Sequence, residues 1–217
     1  MSIVPAPVDV LEAFQRGPDE FATLIASPVP AGWPEFPEGF EYTIDKLRER
    51  PDQAGWWLHL FFSPTGRLVG SGGFVGPPDD GVAEIGYEIA PEFRGNGYAT
   101  SAARELIAKA RSEGRVHTVI AHTLANASAS TSVLRKAGFR FTGEVPDEEE
   151  GAVWRWELQL DTRQFAPIAH VIGAELRYQR LANSGFEVTI HRPRTNNTAV
   201  QVCGGRVAPG RDRGSLA

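Results

Sequence analysis

The chain has 217 residues, 41% hydrophobic content and a formal net charge of −5, the size and composition of one substantial globular domain or of a domain with an appendage. No run of about 18 apolar residues is present, which argues against a membrane-spanning helix. The single Cys203 excludes an internal disulfide framework and a cysteine-rich zinc site.

The charge is unevenly distributed. Residues 1–160 carry 14 Lys and Arg against 23 Asp and Glu, whereas residues 161–217 carry eight Arg against four acids, so −9 and +4 make up the net −5. The acidic body is a poor partner for nucleic acid and suits a cationic substrate such as an amine, while the arginine-rich remainder could touch anions weakly. The start of the chain, with Asp9 and Glu12, lacks the basic-then-apolar pattern of a leader, so a cytoplasmic protein is expected.

In chain order, Leu11 to Ala26 reads as two short helices broken at Gly17-Pro18. Pro28 to Gly39 reads as a loop that leaves Trp33, Phe36 and the adjoining Phe40 exposed unless they pack on something. Thr43 to Arg50 forms a third short helix, stopped by Pro51. Trp56 to Phe62 and Leu68 to Phe74 are strands joined by the turn Ser-Pro-Thr-Gly, and Val82 to Ala90 is a third strand. Gly70, Gly72 and Gly73 within the second strand mark a bulge or a close backbone approach. Tyr98 to Ser112 is amphipathic, with Ala99, Ala102, Ala103, Leu106, Ile107 and Ala110 at helical spacing before Gly114. Val116 to Thr123 is strand-like, and Ser130 to Ala137 is a helix closed by Gly138. Phe139 to Val145 and Val153 to Leu160 form a hairpin around Asp147 to Glu150. This mixed order predicts an α/β or α+β sheet domain over residues 1–160. Residues 161–217 read as an arginine-rich extension, peripheral or partly disordered, in which Phe165 to Leu181 could be a helix and Phe186 to His191 a strand.

The loop between the third strand and the amphipathic helix carries the strongest chemical signal. Arg94-Gly95-Asn96-Gly97-Tyr98-Ala99 leaves a strand and opens a helix, so several unpaired N–H groups and the positive end of the helix dipole converge on one point. That arrangement suits a phosphate or pyrophosphate. A dinucleotide fingerprint would need a third glycine where Thr100 stands, and a Walker loop would need Gly-Lys-Ser/Thr; nucleotide oxidoreduction is therefore disfavoured.

The same loop fits the pattern Arg/Gln-x-x-Gly-x-Gly/Ala. Downstream lie a strand ending Ala121-His122-Thr123-Leu124 and a helix ending Val133-Leu134-Arg135-Lys136-Ala137-Gly138-Phe139. This succession resembles the GNAT superfamily of acyl-CoA-dependent N-acetyltransferases, nearest to its branch of ribosomal-protein N-terminal acetyltransferases, over about residues 8–160. The resemblance implies a mostly antiparallel central sheet with flanking helices and a splayed strand pair that admits acetyl-CoA. It implies that Arg94, Gly95, Asn96, Gly97, Tyr98 and Ala99 hold the pyrophosphate, with Thr100 as the next candidate. Ile89 and Ala90 would offer backbone groups to the pantetheine arm and acetyl carbonyl. The pantetheine-contacting asparagine of many relatives falls at Ala127, so Asn126 is one residue out of register, or Ser128 fills the role. Ser130 takes a place beside the CoA sulfur, where it also reads as a helix N-cap.

Acetyl transfer needs a neutral amine and a proton for the departing thiolate. Glu84 and Glu88 share one strand face and offer a carboxylate for the first task, with Glu84 preferred because it lies further from the phosphate loop. Relatives place a tyrosine acid where this chain has Leu134, so the resemblance leaves Ser130 to protonate the thiolate. His122 could be a base at a strand end or a structural histidine. Acceptor specificity is expected from the Trp33 to Phe40 loop, the Asp147 to Glu150 loop and Trp56-Trp57. The expected partners are a small-molecule or peptide amine, with no membrane, nucleic acid unlikely and a homodimer left open. A catalytically silent acyl-CoA-binding module remains the alternative to an enzyme.

Overall fold

The computed structural model describes residues 1–148 and 150–160 and the backbone of four short strands in the remainder. Contacts divide the chain into Met1–Thr162 and Arg163–Ala217.

The first unit is built on a seven-stranded sheet in the order β1-β2-β3-β4-β5-β7-β6. Its strands are β1 (Ser2–Pro5), β2 (Leu58–Phe62), β3 (Leu68–Phe74), β4 (Val82–Ile89), β5 (Thr118–Leu124), β6 (Arg140–Asp147) and β7 (Gly151–Gln159). Every neighbouring pair is antiparallel except β4 and β5. Edge strand β1 has no counterpart in the pattern analysis: Ser-Ile-Val-Pro is too short to show alternation, and it forms by pairing with β2. The expected hairpin is present as β6–β7, and β7 lies between β5 and β6.

Adjacent residues of the central strands feed two cores. Leu60 and Leu68 face helices α1 (Val8–Arg16), α2 (Pro18–Leu24) and α3 (Glu38–Glu49), whose Leu11, Phe21, Phe40, Ile44 and Leu47 are buried with Trp33. Phe61 and Val69 face helix α4 (Tyr98–Ser112), with Ala102, Leu106 and Ala110, and Leu134 of α5 (Ala129–Ala137). Successive side chains point to opposite faces, and the central strands are buried on both, which makes a helix–sheet–helix sandwich. Phe40, Ile44 and Leu47 each contribute on the order of 1.5–3 kcal/mol by leaving water.

Several boundaries move. The third helix starts at Glu38 rather than Thr43, because Phe40 joins Ile44 and Leu47 on the buried face. The predicted strand from Trp56 begins at Leu58, since Pro51–Trp56 winds as a 3-10 helix. Trp33 and Phe40 are buried, whereas Phe36 is 59% exposed. The glycines of β3 serve both expected purposes. The β2–β3 register shifts between Phe61 and Phe62, and a Cβ on Gly70 would collide with the Glu88 carbonyl oxygen.

The second unit contains a four-stranded antiparallel sheet of β8 (Glu175–Arg180), β9 (Phe186–His191), β10 (Gln201–Cys203) and β11 (Arg206–Ala208), ordered β11-β10-β9-β8. Phe186–His191 is a strand as expected. The helix expected from Phe165 to Leu181 is corrected at Glu175–Arg180, whose alternating Leu176 and Tyr178 suit a strand paired with β9. The rest of that segment lies outside the described residues.

Candidate active site

The pairing of β4 with β5 runs through Val82–Thr118, Ala83–Val119 and Glu84–Ile120 and then stops. Beyond this point β4 continues to Ile89 against β3, and β5 continues to Leu124 against β7. The two strands part because each follows its antiparallel neighbour. Val75 N–H donates to Glu84 O and Ala90 N–H to Val69 O, so even-numbered positions of β4 face β3. By the strand alternation, Tyr87 turns its backbone groups into the gap.

The gap opens onto a cleft of about 610 Å³ floored by the glycine loop. Gly95 and Gly97 have φ of 78° and 82°, a region L side chains rarely adopt. A Cβ on either would meet no atom within 4 Å, so the glycines meet a conformational demand and leave the space above them open. Helix α4 begins at Tyr98 with no side-chain cap and no acid in its first turn. The first-turn N–H groups and the dipole are thus directed at the cleft without an internal counter-charge. Lys136 adds positive charge on the far wall. An anion of pyrophosphate size fits this floor, and the residues present match what the CoA diphosphate requires.

Individual loop residues divide between cradle and brace. Gly95, Gly97, Tyr98, Ala99, Thr100, Arg94 and Ile89 line the cleft. Asn96 does not; its Nδ2 donates to Phe93 O and Arg94 O, both at 3.2 Å, and stiffens the turn. Arg94 Nε donates to Ile89 O at 2.9 Å, and its Nη2 pairs with Glu35 Oε2 at 2.5 Å. Ala90 is buried and spends its N–H on Val69, so only Ile89 of that pair borders the cleft.

A second chamber of about 480 Å³ adjoins the first. Phe36, Tyr87, Glu88, Ser128 and Ser130 border both, so the junction lies where the strands have parted. Leu58, Leu124 and Phe36 give the second chamber an apolar wall, and Glu88 and His122 give it polar groups. Neither Trp56, Trp57 nor a described residue of the Asp147 to Glu150 loop borders either chamber; Phe36 and Gly39 represent the proline-rich segment and the start of α3.

Glu84 and Glu88 do share one face of β4, and their surroundings differ. Glu88 Oε1 accepts from Ser71 Oγ at 2.8 Å and Oε2 from Glu35 N–H at 2.7 Å, while Trp33 Nε1 donates to Ser71 Oγ at 3.2 Å. Burial pushes the Glu88 carboxyl above its usual range, and the two donors and Arg94 partly offset that. Glu84 borders neither chamber; its Oε1 lies 2.7 Å from His122 Nδ1. His122, in turn, borders the second chamber.

At the head of α5 the N-cap is Ser128, not Ser130. Ser128 Oγ accepts from Thr131 N–H at 3.4 Å and Thr131 Oγ1 accepts from Ser128 N–H at 3.1 Å, a reciprocal cap. Ser130 is thereby released from capping and stands exposed at the junction of the two chambers. Asn126 borders the second chamber and not the glycine-floored cleft. Leu134, where a tyrosine acid was missing, is fully buried.

Sequence reasoning missed Glu35 and Tyr87. Tyr87 follows from the β4 alternation, but its hydroxyl is buried with no partner among the described residues, and burial raises its pKa. Glu35 carries no signal in the pattern, because its role depends on a loop folding back over β4.

The sheet thus parts between two parallel strands, with an uncapped helix N-terminus beside the gap. Residues 9–140 match the family model of the acetyltransferase (GNAT) domain, more than half of the chain, and the chain belongs to that family. No curated protein sequence matches it. Among solved structures it resembles a chimera of the Vibrio cholerae spermidine N-acetyltransferase SpeG and hSSAT, with TM-score 0.56 and 14% identity over 73% of this chain and 96% of the other. It also resembles RimL, a ribosomal alpha-N-protein acetyltransferase, in complex with coenzyme A, with TM-score 0.55 and 18% identity over 74% of this chain and 94% of the other. A SpeG variant from Vibrio cholerae gives TM-score 0.54 and 14% identity, covering 78% of this chain and all of the other (100%). At these identities the likeness is one of fold.

Proposed function

We propose that the protein is an acetyl-CoA-dependent N-acetyltransferase that moves an acetyl group to a primary amine, on a small molecule or a protein N-terminus, by direct attack on the thioester. The observation that carries this reading is the pair of chambers meeting at the β4–β5 split, one floored by the glycine loop and the other bordered by Glu88 and His122. The backbone of Gly95 to Thr100 holds the diphosphate, and Tyr87 and Ile89 flank the pantetheine arm. Bringing an amine against the thioester in this geometry supplies much of the rate through proximity. Ser130 lies at the junction, where its hydroxyl protonates the thiolate. Glu84 serves the amine side from behind His122. Two carboxylates on one strand face favour an acceptor that arrives as an ammonium. In the cell we expect the acetylation to take place in the cytoplasm.

The test is calorimetric titration with CoA, followed by thiol release from acetyl-CoA in the presence of spermidine, simple primary amines and peptides with free N-termini. Binding together with acceptor-dependent thiol release is expected. Absence of CoA binding removes the proposal, and binding without any acceptor-dependent release makes the chain a silent acyl-CoA-binding module.

A further inference from the structure

Resting on the acetyltransferase reading, we propose that His122, oriented by Glu84, is the group that takes the proton from the acceptor amine. Glu84 and His122 come from β4 and β5 just where the two strands stop pairing, and 2.7 Å separates Glu84 Oε1 from His122 Nδ1. An ionised carboxylate only accepts, so in the neutral ring this contact places the proton on Nδ1 and the lone pair on Nε2. Nε2 has no partner among the described residues, and His122 borders the second chamber while Glu84 does not. The carboxylate therefore acts through the ring, as a positioning residue, and the imidazole is the group that meets the substrate.

The other charges near the ring leave this role intact. Arg155 lies directly opposite His122 on β7, and its Nε donates to Glu157 Oε1 at 2.8 Å, which offsets its charge. Glu88 borders the same chamber, but both of its oxygens already accept a hydrogen bond, Oε1 from Ser71 of β3 and Oε2 from the Glu35 N–H of the proline-rich loop. Glu88 fits an electrostatic anchor for the ammonium, and His122 fits the proton acceptor.

In the proposed step the ammonium gives one proton to Nε2, and the nitrogen keeps the electron pair of the broken N–H bond. The imidazolium so formed retains its Nδ1–H···Glu84 contact. The amine pair attacks the thioester carbon, the C–S bond breaks, and sulfur takes that electron pair. The second nitrogen proton passes to sulfur by way of the Ser130 hydroxyl, and His122 returns its proton to solvent. The products are the amide, the free thiol and one proton.

Two measurements on the full chain test the assignment. Nitrogen-15 NMR of the histidine side chains, with His122 identified by His122→Gln, is expected to show the Nδ1–H tautomer in the native protein and its loss in Glu84→Ala. Steady-state assays with acetyl-CoA and either spermidine or an N-terminal serine peptide are expected to show kcat/KM for the amine about 100-fold lower in His122→Ala, with at least about tenfold recovered by added imidazole. CoA affinity should stay within about twofold, since His122 does not border the glycine-floored cleft. A His122→Ala enzyme within about threefold of native, a loss that imidazole does not restore, or an Nε2–H tautomer in the native protein would overturn the proposal. A native protein that neither binds CoA nor releases thiol overturns the acetyltransferase reading itself. Native turnover that is insensitive to His122 overturns only this assignment.

Discussion

The two chambers that meet at the β4–β5 split are built by different means. The glycine-floored cleft takes its anion site from one continuous segment, Arg94 to Thr100, and from main-chain N–H groups at the head of α4. The second chamber draws Phe36, Leu58, Ser71, Glu88, His122 and Ser130 from stretches far apart in the chain. Side chains hold it, with one main-chain N–H, that of Glu35, in the series Trp33 to Ser71 to Glu88 to Glu35 to Arg94. A site made of backbone depends on dihedral angles and tolerates most side-chain changes. A site made of side chains depends on each partner.

The largest expected effect is a control common to both chambers. His59 is fully buried on β2 and borders neither of them; its Nδ1–H donates to Trp57 O at 2.8 Å, and burial lowers its pKa from 6.5 to about 4. Between those pH values the unfolded chain binds a proton that the native chain does not. Stability is therefore full above about pH 6.5 and falls as pH drops toward 4, by up to about 3 kcal/mol. Urea melts at several pH values should show this fall, and His59→Leu should flatten it. Glu88 acts with the opposite sign: its raised pKa adds stability at low pH that is lost as pH rises through its folded value. Glu88→Gln separates the two contributions.

Gly97→Val addresses the backbone-built chamber alone. A β-branched residue at φ 82° must shift the turn, and the first N–H groups of α4 lose their common focus. CoA affinity should fall on the order of 100-fold by calorimetry. Gly97→Asn, which tolerates that φ, should keep most of it. The His122 tautomer should be unchanged in both; a change there would show that the chambers are not separately built.

The same division explains what could be read from the sequence. Helix α4 was legible to its last residue because its apolar period, its glycine entry and Gly114 are local signals, and the glycine loop before it was legible with it. The strands were legible where alternation lasted, as in Val82–Ile89, and not in Ser2–Pro5, which is a strand only because β2 lies beside it. The Glu84–His122 contact was out of reach because 38 residues separate its partners and the register of two parallel strands brings them together. The choice between Ser128 and Ser130 as cap turned on Thr131, since the reciprocal cap needs a side-chain acceptor three residues on. The strand at Glu175–Arg180 is hidden in the sequence because Phe165, Ile168, Ile172 and Leu176 recur at three and four residues, a helical period that runs into it.

On the side-chain-built chamber, Ser71→Ala removes one donor to Glu88 and leaves the buried Trp33 indole N–H without an acceptor. Loss of about 1–3 kcal/mol of stability is expected. KM for the amine should rise while CoA affinity stays within about twofold. Ser71→Thr, which restores the hydroxyl, should recover part of both losses.

The smallest effect tests an exposed ion pair on the wall of the glycine-floored cleft. Glu35 and Arg94 side chains are each 53% exposed, so their ion pair is worth no more than about 1 kcal/mol. A diphosphate on the glycine loop competes with Glu35 for the same guanidinium. Glu35→Gln removes the competitor and, because the bond to Glu88 comes from the Glu35 main-chain N–H, leaves that contact in place. CoA affinity should increase about two- to threefold at low ionic strength, and the gain should fade at high salt as screening weakens the native pair. A decrease instead would mean that Glu35 holds Arg94 in the position the diphosphate needs, and the cleft would then depend on a side chain of the proline-rich loop as well as on its own backbone.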